Sequence, residues 1–276
     1  MMHPDEMPPE ETHPEKTHPE EESFYRKHRI AIWSVFALIV LLDAGMVRLS
    51  AFPGNDMSSR YAPMAEAFAS GNWRVAFHPR FGLLFSAVTG SISFLTGLSG
   101  FRSCQVAAIV FFWLTAFPLW SIYRRIWDER VAAAGCFLYL MSSFLTRYAY
   151  FGLRESWKTF GIALGVCGVL TVMQSPNKWR GYLAVACGCA FLISIRGDSA
   201  FYALVLLVMA FVLEKIRAKR LPSRSFLCGL LILLLVSPQL WYNYRMLGYP
   251  VPESRHAQLL KHIGIPPLKT PEVEVP

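Results

Sequence analysis

The apolar residues of this chain fall into long runs that are separated by short polar intervals. Each long run approaches the roughly 20 residues that a helix needs to cross the hydrocarbon core of a bilayer. Runs of this length and uniformity are not typical of a soluble core. The pattern predicts an all-α fold, a polytopic membrane helix bundle of about seven spans. The predicted spans lie at residues 30–52, 104–122, 131–146, 157–173, 181–195, 201–213 and 226–240.

One further apolar run, residues 81–98, fits two topologies. If it crosses the bilayer, Arg124, Arg125 and Arg130 lie outside; if it is juxtamembrane, these arginines lie in the cytoplasm. Small and polar residues make the run a poor lipid-facing helix: Gly90, Ser91, Ser93, Thr96, Gly97, Ser99 and Gly100. We therefore predict juxtamembrane helices in a first outer loop over residues 53–103.

The longest polar interval, residues 55–82, contains a short amphipathic segment. Four of its apolar side chains share one helical face by their i, i+3, i+4 and i+7 spacing: Tyr61, Met64, Ala65 and Phe68. A serine, Ser58 or Ser59, is expected to cap the start of this helix and Gly71 its end. A helix tied to membrane spans on both sides is expected to lie along the bilayer surface with its apolar face down.

The N-terminal segment differs in charge from the rest of the chain. Residues 1–22 hold eight carboxylates against one lysine in an imperfect Pro/Glu/His repeat, which predicts a disordered acidic tail over residues 1–25. Without residues 1–22 the chain has 26 basic and 11 acidic residues, a net charge of +15 against +8 for the whole sequence. Arg26, Lys27 and Arg29 precede the first span, so the positive-inside rule places the N-terminus in the cytoplasm.

We predict a membrane module over residues 26–245, followed by a C-terminal segment, residues 246–276. Because the N-terminus is predicted to be cytoplasmic and the number of spans is odd, this segment is expected on the extracytoplasmic side. The outer side of this topology is rich in arginine, which translocated loops usually avoid. The excess favours a bound anion, such as a phosphate-bearing ligand or lipid headgroups. No soluble domain is predicted that offers a basic surface to nucleic acid, so we predict no nucleic-acid partner.

Four acidic residues stand out. Asp43, at the centre of the first span, is expensive in lipid and must face protein or water. Asp56 in the first loop has no cation nearer than Arg60; it is either an N-cap or a chemical group, and we favour the chemical role. Glu155 and Asp198 each have an arginine within two residues, so a simple ion pair competes with a functional role for both.

The last predicted span ends in an aromatic stretch, residues 237–250, that also contains Asn243 and Arg245. An interfacial aromatic belt accounts for such a stretch. The functional alternative is a wall that packs a polyisoprenyl or sugar group while Arg245 contacts a phosphate.

In their order along the chain, these features resemble the polytopic glycosyltransferases of the GT-C class, of the protein O-mannosyltransferase and aminoarabinose-transferase type. The resemblance covers about residues 30–260. It rests on Asp56, Tyr61 and Ala65 in the first loop, Gly71 to Trp73, His78 to Gly82, Arg154 and Glu155, Arg196 and Asp198, and Pro238 with Tyr242 to Pro250. One departure is that the family often has paired acids in the first loop, whereas Met57 follows Asp56.

The resemblance implies transfer of a sugar from a polyprenyl-phosphate carrier to an acceptor on the extracytoplasmic side. Asp56 is then the candidate catalytic base. The candidate substrate-binding residues are Arg60, Tyr61, Arg74, His78, Arg80, Glu155, Asp198 and Arg245. The implied partners are a lipid-linked sugar donor and membrane lipids; a divalent cation and a partner membrane subunit are left open. The alternative is a non-catalytic or truncated membrane protein that binds lipid-linked sugar or acts as an accessory subunit.

Overall fold

The fold is described from a computed structural model, which describes residues 19–49, 56–218 and 222–268. All regular structure in these ranges is helical. The elements are α1 (Pro19–Leu49), a π-helical turn (Met57–Tyr61), α2 (Ala62–Ala69), α3 (Trp73–Ala76), α4 (Leu83–Thr96), α5 (Gly100–Ile126), α6 (Glu129–Leu140), α7 (Ser143–Tyr150), α8 (Glu155–Gln174), α9 (Trp179–Ile195), a 3₁₀ turn (Gly197–Ser199), α10 (Ala200–Ala218), α11 (Ser223–Leu247) and α12 (Ser254–His262).

The prediction of a polytopic membrane helix bundle is confirmed. Within the described residues, five helical segments are long and apolar enough to cross a membrane: 27–49, 100–126, 155–174, 197–217 and 223–247. Helix α9 is apolar but shorter, with 17 residues. Most of the predicted acidic tail, residues 1–18, lies outside the described residues, and so do residues 50–55 of the first loop.

The predicted span over residues 131–146 is not one continuous helix, because two helices occupy this region. Helix α6 ends at Leu140 and α7 begins at Ser143. Between them Ser142 has extended backbone geometry, with ψ of 102°. Serine competes with helical backbone hydrogen bonds and favours helix ends, so the Ser142–Ser143 pair interrupts an otherwise apolar run.

Several helix ends meet at one end of the bundle, which we call the loop end because it carries residues 56–82. Arg102, in the first turn of α5, donates hydrogen bonds to the carbonyl oxygens of Val47 (2.7 Å) and Arg48 (3.3 Å) at the end of α1. Gln105 donates to the Tyr150 carbonyl oxygen at the end of α7, at 2.6 Å. These bonds satisfy carbonyl groups that a helix end leaves without partners.

Helix α4 begins and ends at the loop end. At its start, Gly82 packs against the backbone carbonyl oxygens of Ser194 and Ile195 at the end of α9. Just after its end, Gly100 packs against the carbonyl group of Ala62 in α2. A helix whose two termini lie at the same end of the bundle does not cross it. This placement favours the juxtamembrane interpretation of the segment, which stays a prediction.

The buried carboxylate of Asp43 faces protein, as predicted. Its two oxygens accept hydrogen bonds from the Trp113 indole N–H (2.9 Å) and the Tyr150 hydroxyl (2.7 Å). Since an unpaired polar group in the bilayer core is costly, these two donors allow the acid to remain in α1. The same contacts join α1 to α5 and α7.

Helices α8 and α9 approach each other closely through glycine. A Cβ atom on Gly168 would lie 2.6 Å from the backbone nitrogen of Val185, and one on Gly188 would lie 2.8 Å from the carbonyl oxygen of Gly161. Small residues at membrane helix interfaces allow backbones to pack at this distance, where dispersion and weak polar contacts stabilise the pair.

We expect Gly188→Ala to lower the free energy of unfolding by about 1–3 kcal/mol, because the added methyl group overpacks the α8–α9 contact. The matched control is Gly229→Ala in α11, where the nearest atom to an added Cβ lies 3.9 Å away. Alanine is a better helix former than glycine, so the control is expected to be neutral or stabilising. Denaturant titration of both variants in the same detergent checks this; equal stabilities would contradict it.

Candidate functional site

The centre of the loop end is Arg154, a buried arginine that precedes α8. Its side chain is only 6% exposed. One guanidinium nitrogen donates to the carbonyl oxygen of Ile195 at 2.9 Å, and the guanidinium lies 4.8 Å from the ring centroid of Tyr61 and 5.4 Å from that of Phe81. The Nε atom is buried without a hydrogen-bond partner in the described part of the chain. A buried cation held over two aromatic rings is a strong local charge.

Sequence reasoning treated Arg154 only as a neighbour of Glu155. The signal that pointed to it was the Arg–Glu pair at the start of a span. The contacts that bury it come from residues far away in the sequence, in the first loop and at the end of α9.

The structure brings Glu155 and Asp198 together on one guanidinium. Arg196 contacts Glu155 through Nη1 (3.3 Å) and Asp198 through Nε (2.7 Å), and all three side chains are partly exposed. The ion-pair interpretation therefore holds for both acids, with a partner for Glu155 that is 41 residues away rather than the adjacent Arg154. One cation between two carboxylates reduces their mutual repulsion.

Asp56 lies at the start of the π-helical turn, where its side chain makes no capping hydrogen bond. The N-cap interpretation is therefore wrong. Its carboxylate instead accepts a hydrogen bond from Arg60 at 2.9 Å, and the Asp56 side chain is 61% exposed. A carboxylate in this position remains accessible to a ligand.

The hydroxyl of Tyr61 connects these groups electrostatically. Burial raises the pKa of Tyr61, the Arg154 guanidinium opposes that rise, and the carboxylates of Asp56 and Glu155 add to it. Both acids and Arg154 therefore act on one phenol. The charges of Asp56, Arg154 and Glu155 are thus all felt at the Tyr61 hydroxyl.

The amphipathic helix of the first loop differs from the sequence prediction in what covers it. Tyr61, Met64 and Ala65 are buried against protein, in a cluster that includes Phe85 of α4 and Cys104 of α5. The expectation of an apolar face that rests on lipid is therefore wrong. Helical geometry begins before the serines expected to cap it, whereas Gly71, with a φ of 78°, lies just past the end of α2 as predicted.

The remaining cations of the first loop, Arg74, His78 and Arg80, are exposed. The imidazole Nδ1 of His78 accepts a hydrogen bond from the backbone N–H of Arg80 at 3.2 Å. Loss of water around the ring lowers the pKa of His78, and the positive charge of Arg80 lowers it further. Near neutral pH His78 is consequently an uncharged donor through Nε2 rather than a cation.

The segment after α11 folds back onto the loop end. Asn243 donates to the carbonyl oxygens of Val251 (2.7 Å) and Pro252 (2.9 Å), and the backbone N–H of Ser254 donates to the carbonyl oxygen of Pro79 at 3.0 Å. Arg245, in the last turn of α11, is exposed. The Asn243 amide therefore anchors the aromatic stretch to the segment that follows it.

Two residues of this segment were missed by sequence reasoning. A Cβ atom on Gly197 would lie 2.7 Å from Cβ of Glu253 and 2.8 Å from Cε1 of His256, so both side chains sit beside the turn that carries Asp198. Nothing in the spacing of these residues signals the contact. In the part of the chain that the structure describes, no group of three His, Cys, Asp or Glu residues is arranged to hold a metal ion.

The comparisons with known proteins place this arrangement in a family. The sequence profile described as dolichyl-phosphate-mannose-protein mannosyltransferase matches residues 82–242, more than half of the 276-residue chain. The chain belongs to this family. It is thus a mannosyltransferase-like glycosyltransferase of the membrane. No curated protein and no solved structure matches it.

The matched region has a clear relation to the site. The part of the loop end that lies within the matched residues consists of α4, Arg154, Glu155, Arg196 and Asp198. Asp56 and the basic residues of the first loop before residue 82 lie outside it, as do Arg245 and the segment that follows.

We expect the pKa of His78, measured by NMR in detergent, to lie below the ordinary value of 6.5. Arg80→Ala should raise it only in part, because loss of water is the larger cause. Arg74→Ala is the matched control and should leave it unchanged. Since folding favours the neutral ring, the stability of the folded state falls as pH drops below about 6.5. A wild-type midpoint at or above 6.5 would contradict this account.

Proposed function

We propose that this protein transfers a sugar from a polyprenyl-phosphate carrier to a hydroxyl acceptor on the extracytoplasmic side of the membrane, by GT-C chemistry. The observation that carries the proposal is the juxtaposition, at one end of the bundle, of Asp56, Tyr61, Arg154 and the Glu155–Arg196–Asp198 group. Membership of the mannosyltransferase family supports mannose as the sugar.

In the proposed reaction, the Asp56 carboxylate takes the proton of the acceptor hydroxyl as its oxygen attacks the anomeric carbon. The bond from that carbon to the phosphate oxygen breaks, and its electron pair leaves with the polyprenyl phosphate. Arg60, at 2.9 Å from Asp56, places a cation beside the reaction, where it stabilises the charge on the leaving phosphate.

The other residues have supporting roles in this proposal. Glu155 and Asp198 orient the sugar, because carboxylates accept hydrogen bonds from sugar hydroxyls while Arg196 holds both acids in place. The exposed loop cations Arg74 and Arg80, together with Arg245, attract the carrier phosphate. His78 contributes a neutral N–H donor, and the Tyr61 ring covers the Arg154 guanidinium.

We expect Asp56→Asn to lower turnover by about 10²–10⁴-fold with donor binding retained, because general-base assistance is typically worth that much. The assay measures polyprenyl phosphate released by purified full-length protein from polyprenyl-phosphate mannose, in the presence of a serine- and threonine-containing peptide.

Arg60→Gln is the matched variant for this test, since it breaks the same ion pair and keeps the acid. Arg60→Gln should lower turnover less than Asp56→Asn does. Unchanged turnover in Asp56→Asn, or equal losses in the two variants, would remove the base assignment. A wild-type protein that binds the donor without releasing polyprenyl phosphate would support the non-catalytic alternative instead.

A separate experiment tests on which side of the membrane the proposed site lies. We expect a cysteine at Pro250, at the loop end, to react with a membrane-impermeant maleimide added outside intact cells. A cysteine at Lys178, in the loop between α8 and α9 at the opposite end, should react only after permeabilisation. The reverse pattern would place the site in the cytoplasm and contradict an extracytoplasmic acceptor.

A further inference from the structure

A long groove lies between α1 and the helices α5, α6 and α7. It consists of two adjoining cavities of about 550 and 390 Å³, which share Ile39 and Leu140 as lining residues. The break between α6 and α7 creates the second cavity, because Met141 and Ser143, on either side of the break, line its wall.

The groove has the length and polarity of a membrane lipid. Its lining extends along α1 from His28 to Asp43, which is about 22 Å at 1.5 Å per residue. This covers most of the roughly 30 Å hydrocarbon thickness of a bilayer. The larger cavity is lined mainly by aromatic and aliphatic side chains, among them Trp33, Phe36, Phe117 and Phe137. An apolar channel of this length suits a hydrocarbon chain.

The second cavity, nearer the loop end, carries the charged groups. The carboxylate of Asp43 already accepts hydrogen bonds from Trp113 and Tyr150, which leaves Arg147 as the charged donor for a ligand. The Arg147 guanidinium is exposed, lies 5.4 Å from the Phe151 ring and forms no ion pair with any residue that the structure describes. A guanidinium at the end of an apolar groove is complementary to a phosphate at the end of a hydrocarbon chain.

Helix α5 separates this groove from the candidate active site. One face of α5 packs Cys104 and Ala108 into the cluster that contains Tyr61 and Trp157. Other residues of α5, including Phe112, pack into a different cluster with Ile39 of α1 and Tyr139 of α6. A lipid in the groove therefore does not share the pocket of the sugar donor.

We propose that the groove binds a glycerophospholipid of the surrounding bilayer, with an acyl chain in the aromatic cavity and the phosphate group on Arg147. The site is independent of the transfer reaction proposed above. The choice of a phospholipid rather than the sugar carrier rests on the proposed function, because the groove and the proposed active site lie on different faces of α5.

The test uses full-length protein in detergent and a phosphatidylglycerol with a photoactivatable diazirine in its acyl chain. Cross-linked peptides, identified by mass spectrometry, are expected to map to α1, α5, α6 and α7. At subsaturating probe, Arg147→Ala should lower the labelling yield about tenfold, since hydrogen bonds to charged groups are worth roughly one factor of ten or more in binding. Ala134→Phe, which fills the aromatic cavity, should lower it as well.

Matched controls separate this site from general effects of charge and bulk. Arg255→Ala removes another exposed arginine of the loop end, and Ala37→Phe adds the same bulk to an exposed position of α1 outside the groove. Both should label as the wild type does. Labelling unaffected by Arg147→Ala and Ala134→Phe, or mapped outside α1, α5, α6 and α7, would overturn the proposal. Displacement of the probe by polyprenyl phosphate at lower concentration than by unlabelled phosphatidylglycerol would assign the groove to the carrier and overturn it too.

Discussion

The loop end depends on a guanidinium that the fold has removed from water. Arg154 is bonded to the last carbonyl of α9 and covered by two aromatic rings from the first loop and the start of α4. Burial of a charge is tolerated only where polar and aromatic groups replace the lost hydration. The helix ends, the loop and α4 must therefore all be in place for this arginine to be stable. Its position in turn fixes the adjacent Glu155, and through Arg196 the turn that carries Asp198.

Features set by local composition were predictable from the sequence. The helical bundle follows from apolar runs of bilayer length, and the separation of α4 from the long apolar helices follows from its short length and its glycine, serine and threonine content. The protein environment of Asp43 follows from the cost of an unpaired acid in lipid. In each case the physical cause lies within a short stretch of chain.

Features set by long-range contacts were not predictable. Hydropathy does not distinguish a helix face covered by protein from one covered by lipid. The spacing of Tyr61 and Met64 therefore predicted the helix correctly, but it did not show that protein rather than lipid covers its apolar face. The break between α6 and α7 depends on two serines, too few to alter the average of an apolar window. The partner of Glu155 lies 41 residues away, and no local pattern encodes that pairing.

The fold-back after α11 limits how far the family-matched region can be treated as a separate unit. Ser254 is bonded to the backbone of Pro79, and Glu253 and His256 fill the space beside Gly197, so residues beyond position 242 shape the turns that carry Pro79 and Asp198. Exchange of the segment after residue 242 between related proteins would therefore change the shape of the first loop without any substitution in that loop. A segment that lies outside the family's matched residues therefore helps to shape the loop end.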